Sequence, residues 1–347
     1  MFSILRPYIF SLDPEAAHDL AIKSLKLNFV PKIFFEVKNE EMLETELFKK
    51  KIKNPIGLAA GFDKSAEVYN SLFKLGFGFV EVGTITPKRQ FGNPKPRVFR
   101  LEKDKALINR LGFNNDGIDE VSERLKRDAS EEFLGINIGP NKDTKDKVLD
   151  FLECFSKLNK FASYITVNIS SPNTSGLRDF HEKKLLSELL SKLSDIKKKQ
   201  KIKCPIALKL SPDIGESEIT NINEMVLKFK IDGLILTNTT NQNRDKLVDE
   251  KKNEIGGLSG FPLQKLSLKF IKNFYKLNKQ IPIIGVGGVD SGQSAFDKIA
   301  AGATAVQLYT GMVYKGPSLI KNIKKELIEI LKKEKIKNIQ QAIGINS

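Results

Sequence analysis

Two lysines and a series of amides and hydroxyls recur at one kind of place in this 347-residue sequence, just after short runs of β-branched and aromatic residues. The stretch YITVNISSPNTSGL (164–177) is the fullest case. Its first half reads as a buried parallel strand. Its second half gathers Ser170, Ser171, Pro172, Asn173, Thr174 and Gly176 into a turn that ends the strand. Asn168 and Asn173 meet there, and a neutral amide with two donors and an acceptor suits the edge of a planar, amide-like ligand. An ordinary hydrogen-bonded turn explains one such stretch. It does not explain their recurrence.

Eight strand-like runs end this way, at 54–64, 77–87, 133–141, 164–173, 204–212, 232–240, 281–288 and 303–311. Helical periodicity fills most of the gaps, at 65–75, 145–161, 182–199, 216–229, 262–277 and 291–301. Eight alternations predict an α/β fold, a (β/α)8 TIM barrel, with its site at the C-terminal ends of the strands. A doubly wound sheet is the alternative, but it gives no reason for polar groups at every strand end. The ends carry residues 60–64, Thr84, Asn137, Asn168, Ser171, Asn173, Lys209, residues 237–239, Gly287, Gly288, Tyr309 and Thr310. With Asp63 as their one carboxylate, the paired acids of glycoside hydrolysis are missing. After the last two strands, GVGG and Tyr309-Thr310-Gly311 predict a phosphate site, with the helix opened by Asp290 and Ser291 adding its positive end.

Two connections are long for a barrel, 86–115 and 241–260. Asn109, Gly112, Phe113 and Asn114 in the first are placed to close over the barrel mouth. Arg97 and Arg100 flank Phe99 there, either as a surface pair or as ligands for an anion or polar head. At the other end, residues 1–39 predict two short amphipathic helices, the second started by Asp13 and Pro14. Either they pack on the barrel or their apolar side meets lipid or a greasy ligand.

Composition bounds these readings. Hydrophobic residues make up 40% of the chain, enough for a core, and no apolar run spans a bilayer. The N-terminus makes no convincing signal peptide. Cys154 and Cys204 stand far apart, and His18 and His181 are the only histidines, which argues against a disulfide framework, an iron–sulfur cluster or a histidine-rich metal site. The net charge of +15 comes from lysines scattered along helices and not interleaved with aromatics, the pattern of a solvated face, not of a nucleic-acid interface.

The motifs GLAAGFDK, EVGTITP, PRVFRL, INRLGFNN, NISSPNT, KLSPD, TNTT, GGLSG, GVGG and QLYTG, in this order, resemble the dihydroorotate dehydrogenase family across about the whole chain. The resemblance implies FMN held by Ala60, Gly61, Phe62, Asp63, Lys64, Thr84, Asn137, Asn168, Lys209, Thr237, Gly260, Gly288, Tyr309 and Thr310. It implies dihydroorotate held by Lys64, Asn109, Arg110, Leu111, Gly112, Phe113, Asn168, Asn173, Asn238 and Thr239. Ser171 falls at the position of the family's base. Serine there, with an N-terminal helix pair, resembles the quinone-linked class, whereas soluble members carry cysteine. His18 and Arg100 then resemble residues of a quinone tunnel. The expected organisation is an N-terminal extension (1–39) on a membrane and an FMN-binding barrel (40–347). The expected partners are dihydroorotate or orotate, a membrane quinone and a membrane surface, with no nucleic acid and no metal. The short extension without a targeting leader points to peripheral attachment on the cytoplasmic side of a bacterial inner membrane. A soluble flavin oxidoreductase, a lyase with Lys209 or Lys64 as a Schiff base, and a non-catalytic binding module are the rival readings.

Overall fold

A computed structural model of the chain describes residues 2–27, 40–242 and 244–347. In chain order its strands are β1 (Thr45–Leu47), β2 (Lys50–Ile52), β3 (Ile56–Leu58), β4 (Phe79–Ile85), β5 (Val98–Leu101), β6 (Ala106–Asn109) and β7 (Leu134–Ile138). They continue with β8 (Tyr164–Asn168), β9 (Ile206–Leu210), β10 (Gly233–Leu236), β11 (Gly257–Gly260), β12 (Ile283–Val286) and β13 (Ala305–Leu308). The helices are α1 (Phe2–Ser11), α2 (Pro14–Lys26), α3 (Tyr69–Phe73), α4 (Ile118–Arg127), α5 (Lys147–Leu158) and α6 (Lys183–Lys199). After them come α7 (Glu216–Lys228), α8 (Gln264–Leu277), α9 (Gly292–Ala300), α10 (Thr310–Lys315) and α11 (Leu319–Lys333).

Strands β3, β4, β7, β8, β9, β10, β12 and β13 close into a parallel barrel, each bonded to the next and β13 back to β3. These are the eight runs read from the sequence. Their β-branched content suits strands buried on both faces, inward against the barrel core and outward against helices. Inside, rings face glycines across the ladders. Gly57 pairs with Phe79 and Gly135 with Tyr164, and a side chain on either glycine would overlap the ring opposite. Tyr164 stacks at 5.1 Å from Phe48 and 5.8 Å from Phe133, which fills the lower half of the barrel.

A two-stranded hairpin, β1 and β2, plugs that lower end with Leu47, Phe48 and Ile52. No sequence expectation covered it. Its turn residues Phe48 and Lys49 take φ of 51° and 63°, a mirror-image turn normally marked by Asn-Gly. The two long connections also hold strands: β5, β6 and β11 make an antiparallel sheet over the upper mouth. Both N-terminal helices form as expected, and Asp13 accepts from the Glu15 and Ala16 amides ahead of Pro14. The boundary expected at 39/40 touches residues outside the described ones.

Gly135→Ala is expected to lower stability by about 1–3 kcal/mol, the range for overpacking a filled core. Urea unfolding of the full chain checks it, and an unchanged midpoint would mean that the Tyr164 ring has room to move.

Candidate active site

The strand ends converge on one cavity at the upper mouth of the barrel, about 1190 Å³ with its opening included. Ala60, Gly61 and Lys64 follow β3, and Thr84 closes β4. Asn168, Ser171 and Asn173 come from β8 and its turn, Lys209 from β9, and Thr237, Asn238 and Thr239 from the end of β10. Gly260 closes β11, Gly288 follows β12, and Tyr309 and Thr310 follow β13. Asn109, Leu111, Gly112 and Phe113 descend from the covering sheet.

Four residues expected at the site stand elsewhere. Arg110 turns out of the cavity, donating to Glu254 at 2.8 Å and to the carbonyls of Ile255 and Pro96. Asp63 is fully buried behind the wall, where it accepts from the Glu67 and Val68 amides. Burial raises its pKa. Phe62 faces a second cavity, and Asn137 lies one layer below the floor.

That lower layer centres on a residue the sequence reading missed, Glu81 of β4. It is wholly buried, and its carboxylate accepts from Asn137 (2.8 Å), Tyr164 (2.9 Å), Gln307 (3.0 Å) and Thr166 (3.1 Å). With its Nδ2 so held, Asn137 turns Oδ1 upward to accept from Thr84 (2.6 Å) and Asn168 (3.1 Å). The Lys209 ammonium lies on the cavity wall above. Burial lowers its pKa, and the Glu81 charge opposes that shift. Only the inward-facing place of Glu81 within a strand signals this role. Arg178 was missed too, though it ties the Ser170 and Thr239 carbonyls to Asp213 and so fixes two strand ends together.

Lys64 links the site to the N-terminal helices. Its Nζ lies 3.0 Å from His18 Nε2. Burial brings Lys64 down to about 8. Burial and the facing ammonium push His18 down to about 3, so the neutral imidazole accepts from the lysine. Beyond Lys64 lies the second cavity, largely apolar, between the barrel and the helices α1 and α2. Phe10, Ala17, His18, Ala21 and Arg100 line it, and Lys64, Val98, Leu107, Leu111 and Tyr309 form the partition between the two cavities. Arg97 and Arg100 are not a surface pair. Arg97 is buried in an ion pair with Glu15 (2.6 Å), and Arg100 donates to the Ile9 and Leu12 carbonyls while stacking on Phe10 at 4.7 Å.

A parallel barrel with a polar cavity at its C-terminal mouth and an apolar one against its side defines a (β/α)8 protein with two adjoining ligand-sized cavities. Comparison with known proteins gives the family. The family described as dihydroorotate dehydrogenase matches residues 42–331. A protein of Bartonella tribocorum named dihydroorotate dehydrogenase (quinone) is 47% identical over 342 residues, covering 96% of this chain and 94% of its own. A mouse protein named dihydroorotate dehydrogenase (quinone), mitochondrial, is 44% identical over 96% of this chain and 87% of its own. The crystal structure of DHODH from Eimeria tenella in complex with ferulenol superposes with a TM-score of 0.93 at 40% identity, covering 96% of both chains. The chain belongs to the dihydroorotate dehydrogenase family.

Replacing Glu81 by Leu is expected to cost about 3–5 kcal/mol, since four buried donors lose their acceptor. Urea unfolding measures it. A loss below about 1 kcal/mol would mean that those donors find other partners.

Proposed function

We propose that this protein oxidises dihydroorotate to orotate in pyrimidine synthesis, with FMN as resident cofactor and a membrane quinone as electron acceptor. The observation that carries the reading is the pair of cavities sharing one partition, polar on one side and apolar on the other, with Lys64 and Tyr309 in it. Such a pair suits two chemically unlike substrates served by one redox group.

The residues present fit FMN. Gln307 Oε1 and Asn114 Oδ1 are buried on the cavity walls without a partner and call for N–H donors, which a flavin ring and a dihydropyrimidine both offer. At the other end, Gly288 takes φ of 72° and a side chain there would strike Gln264, so the backbone alone lines the wall. Thr84, Asn168 and Lys209 would hold the ring, and Gly260, Gly288, Tyr309 and Thr310 the phosphate end. The chemistry FMN supplies is acceptance of a hydride and its return as electrons.

The protein's own groups do the rest. The Lys64 ammonium meets the carboxylate of dihydroorotate, and Asn109, Asn173 and Asn238 meet its amide edges. Asn173 already donates to the Asn109 carbonyl at 3.1 Å, which draws the covering sheet toward the β8 turn. Ser171 takes the proton from ring carbon five as a hydride leaves carbon six. Its oxygen accepts from the Asn173 amide at 3.3 Å, which sets its direction. A serine hydroxyl is a weak base, so the proton leaves through Thr174, buried in the same turn, or through water. Lys209 would place its side-chain nitrogen beside a bound flavin ring, where an ammonium stabilises negative charge.

Residues 1–39 serve as the quinone entrance and 40–347 as the catalytic barrel. Phe2, Ile9 and Phe10 of α1 line the apolar cavity, while Ile4, Leu5 and Tyr8 are exposed on its outer side. Those residues, with Arg6 and Lys23, suit a helix lying on an anionic membrane surface. Lys26 is engaged by Glu67, and Lys32 lies outside the described residues. Among the described residues no helix is long and apolar enough to cross a membrane. The exposed apolar side of α1 supports the reading of peripheral attachment, on the cytoplasmic face of a bacterial inner membrane.

The purified protein is expected to be yellow, and anaerobic mixing with dihydroorotate should bleach it. Ser171→Ala should keep its colour and its orotate binding while bleaching about 100-fold more slowly or worse, the scale of a positioned base. A colourless protein, or a colour that dihydroorotate leaves unchanged, would overturn the assignment.

A further inference from the structure

The glycines after β12 do not have the helix start that the sequence places beside them. The α9 N-terminus is closed upon itself. Ser291 Oγ accepts from the Ser294 amide, and Ser294 Oγ accepts from the Asp290 and Ser291 amides. The Gly292 amide donates to the Glu326 carboxylate. A carboxylate therefore occupies the α9 start, and a full positive charge behind the cavity-lining glycines has to come from another group.

Lys298, at the far end of the same helix, supplies it. Its side chain is fully buried and runs under β12, where its Nζ donates to Ser267 Oγ at 3.0 Å. Ser267 Oγ in turn donates to the Val286 carbonyl, at the head of the Gly287-Gly288 segment that lines the polar cavity. Lys298 and Ser267 pack against this backbone beside Ile271, Ala303 and Leu263. A Cβ built on Gly285 would stand 3.4 Å from Lys298 Cβ, and one on Gly287 would stand 3.0 Å from Ser267 Cβ. Among the described residues, the carboxylate acting on this ammonium is Asp297 of its own helix, half-buried and engaged by Gln293.

A cation taken out of water with no ion pair is a liability unless a bound anion compensates it. We propose that Lys298 is a positioning residue for the phosphate of the bound nucleotide, its ammonium held by Ser267 behind Val286, Gly287 and Gly288 so that the field draws the anion onto that backbone. Burial brings the Lys298 pKa down to about 7, the direction expected of an ammonium that lacks its counter-charge. The inference rests on the FMN reading.

Competition between FMN and riboflavin, which lacks the phosphate, separates the two. Full-length protein is equilibrated with a mixture of both, and the bound flavins are counted after denaturation. The native chain should favour FMN. Lys298→Met, which keeps the unbranched stem, should cut that preference about tenfold or more while total bound flavin per chain holds. Lys298→Arg should restore it, and Lys298→Gln replaces the Met variant should that one fail to fold. A Met or Gln variant that keeps the native preference, or that loses both flavins in equal proportion, overturns the inference and leaves the cofactor assignment standing. A native chain that binds neither flavin overturns both.

Discussion

A carboxylate at the bottom of a closed barrel has no solvent to turn to, so its hydrogen bonds decide how the barrel is arranged above it. Glu81 takes four donors from three other strands, and each is thereby fixed in direction. Because Asn137 must give its Nδ2 to Glu81, its oxygen points up and holds Thr84 and Asn168. Asn168 then uses its own oxygen for Ser170, whose hydroxyl accepts from Asn238. One buried charge thus orders polar side chains on β4, β7, β8 and the end of β10. The same charge acts on Lys209 and opposes the lowering of its pKa by burial.

The barrel above Glu81 and its polar strand ends were legible beforehand, for a physical reason. A parallel barrel demands continuous apolar runs that stop abruptly at polar ends, and both halves of that pattern are local. The unread parts depend on partners distant in the chain. Arg97 stayed open between a surface pair and an anion ligand because Glu15, which buries it, lies 82 positions away. The covering sheet joins β6 to β11 across some 150 residues, and neither strand shows the alternation of a free-standing hairpin. The start of α9 reads as an anion site until Glu326, from α11, is seen to occupy it. Arg110 lies within a run of residues that line the polar cavity, and the packing of Glu254 beside it turns its guanidinium away.

The N-terminal helices are more than a detachable cap. The buried Glu15–Arg97 pair anchors α2 to the residue that leads into β5, and His18 reaches Lys64 in the partition itself. Burial alone would raise the Glu15 pKa, but the Arg97 guanidinium overcomes it and holds the carboxyl below its usual range. The pair therefore stays charged at neutral pH, and α2 helps to set both the apolar cavity and the polar one beside it. Support of the barrel and the shape of the apolar cavity are then two consequences of one packing arrangement.

The central claim is that each cavity serves one half of the reaction, and filling one cavity separates the halves. Ala21 lines the apolar cavity and none of the polar one. With Ala21→Trp, stopped-flow mixing with dihydroorotate should bleach the flavin at the native rate, whereas re-oxidation of the bleached enzyme by a quinone should slow by about tenfold or more, the cost of losing a methylene-scale fit several times over. Native rates in both halves would contradict the account, as would a loss confined to the dihydroorotate half.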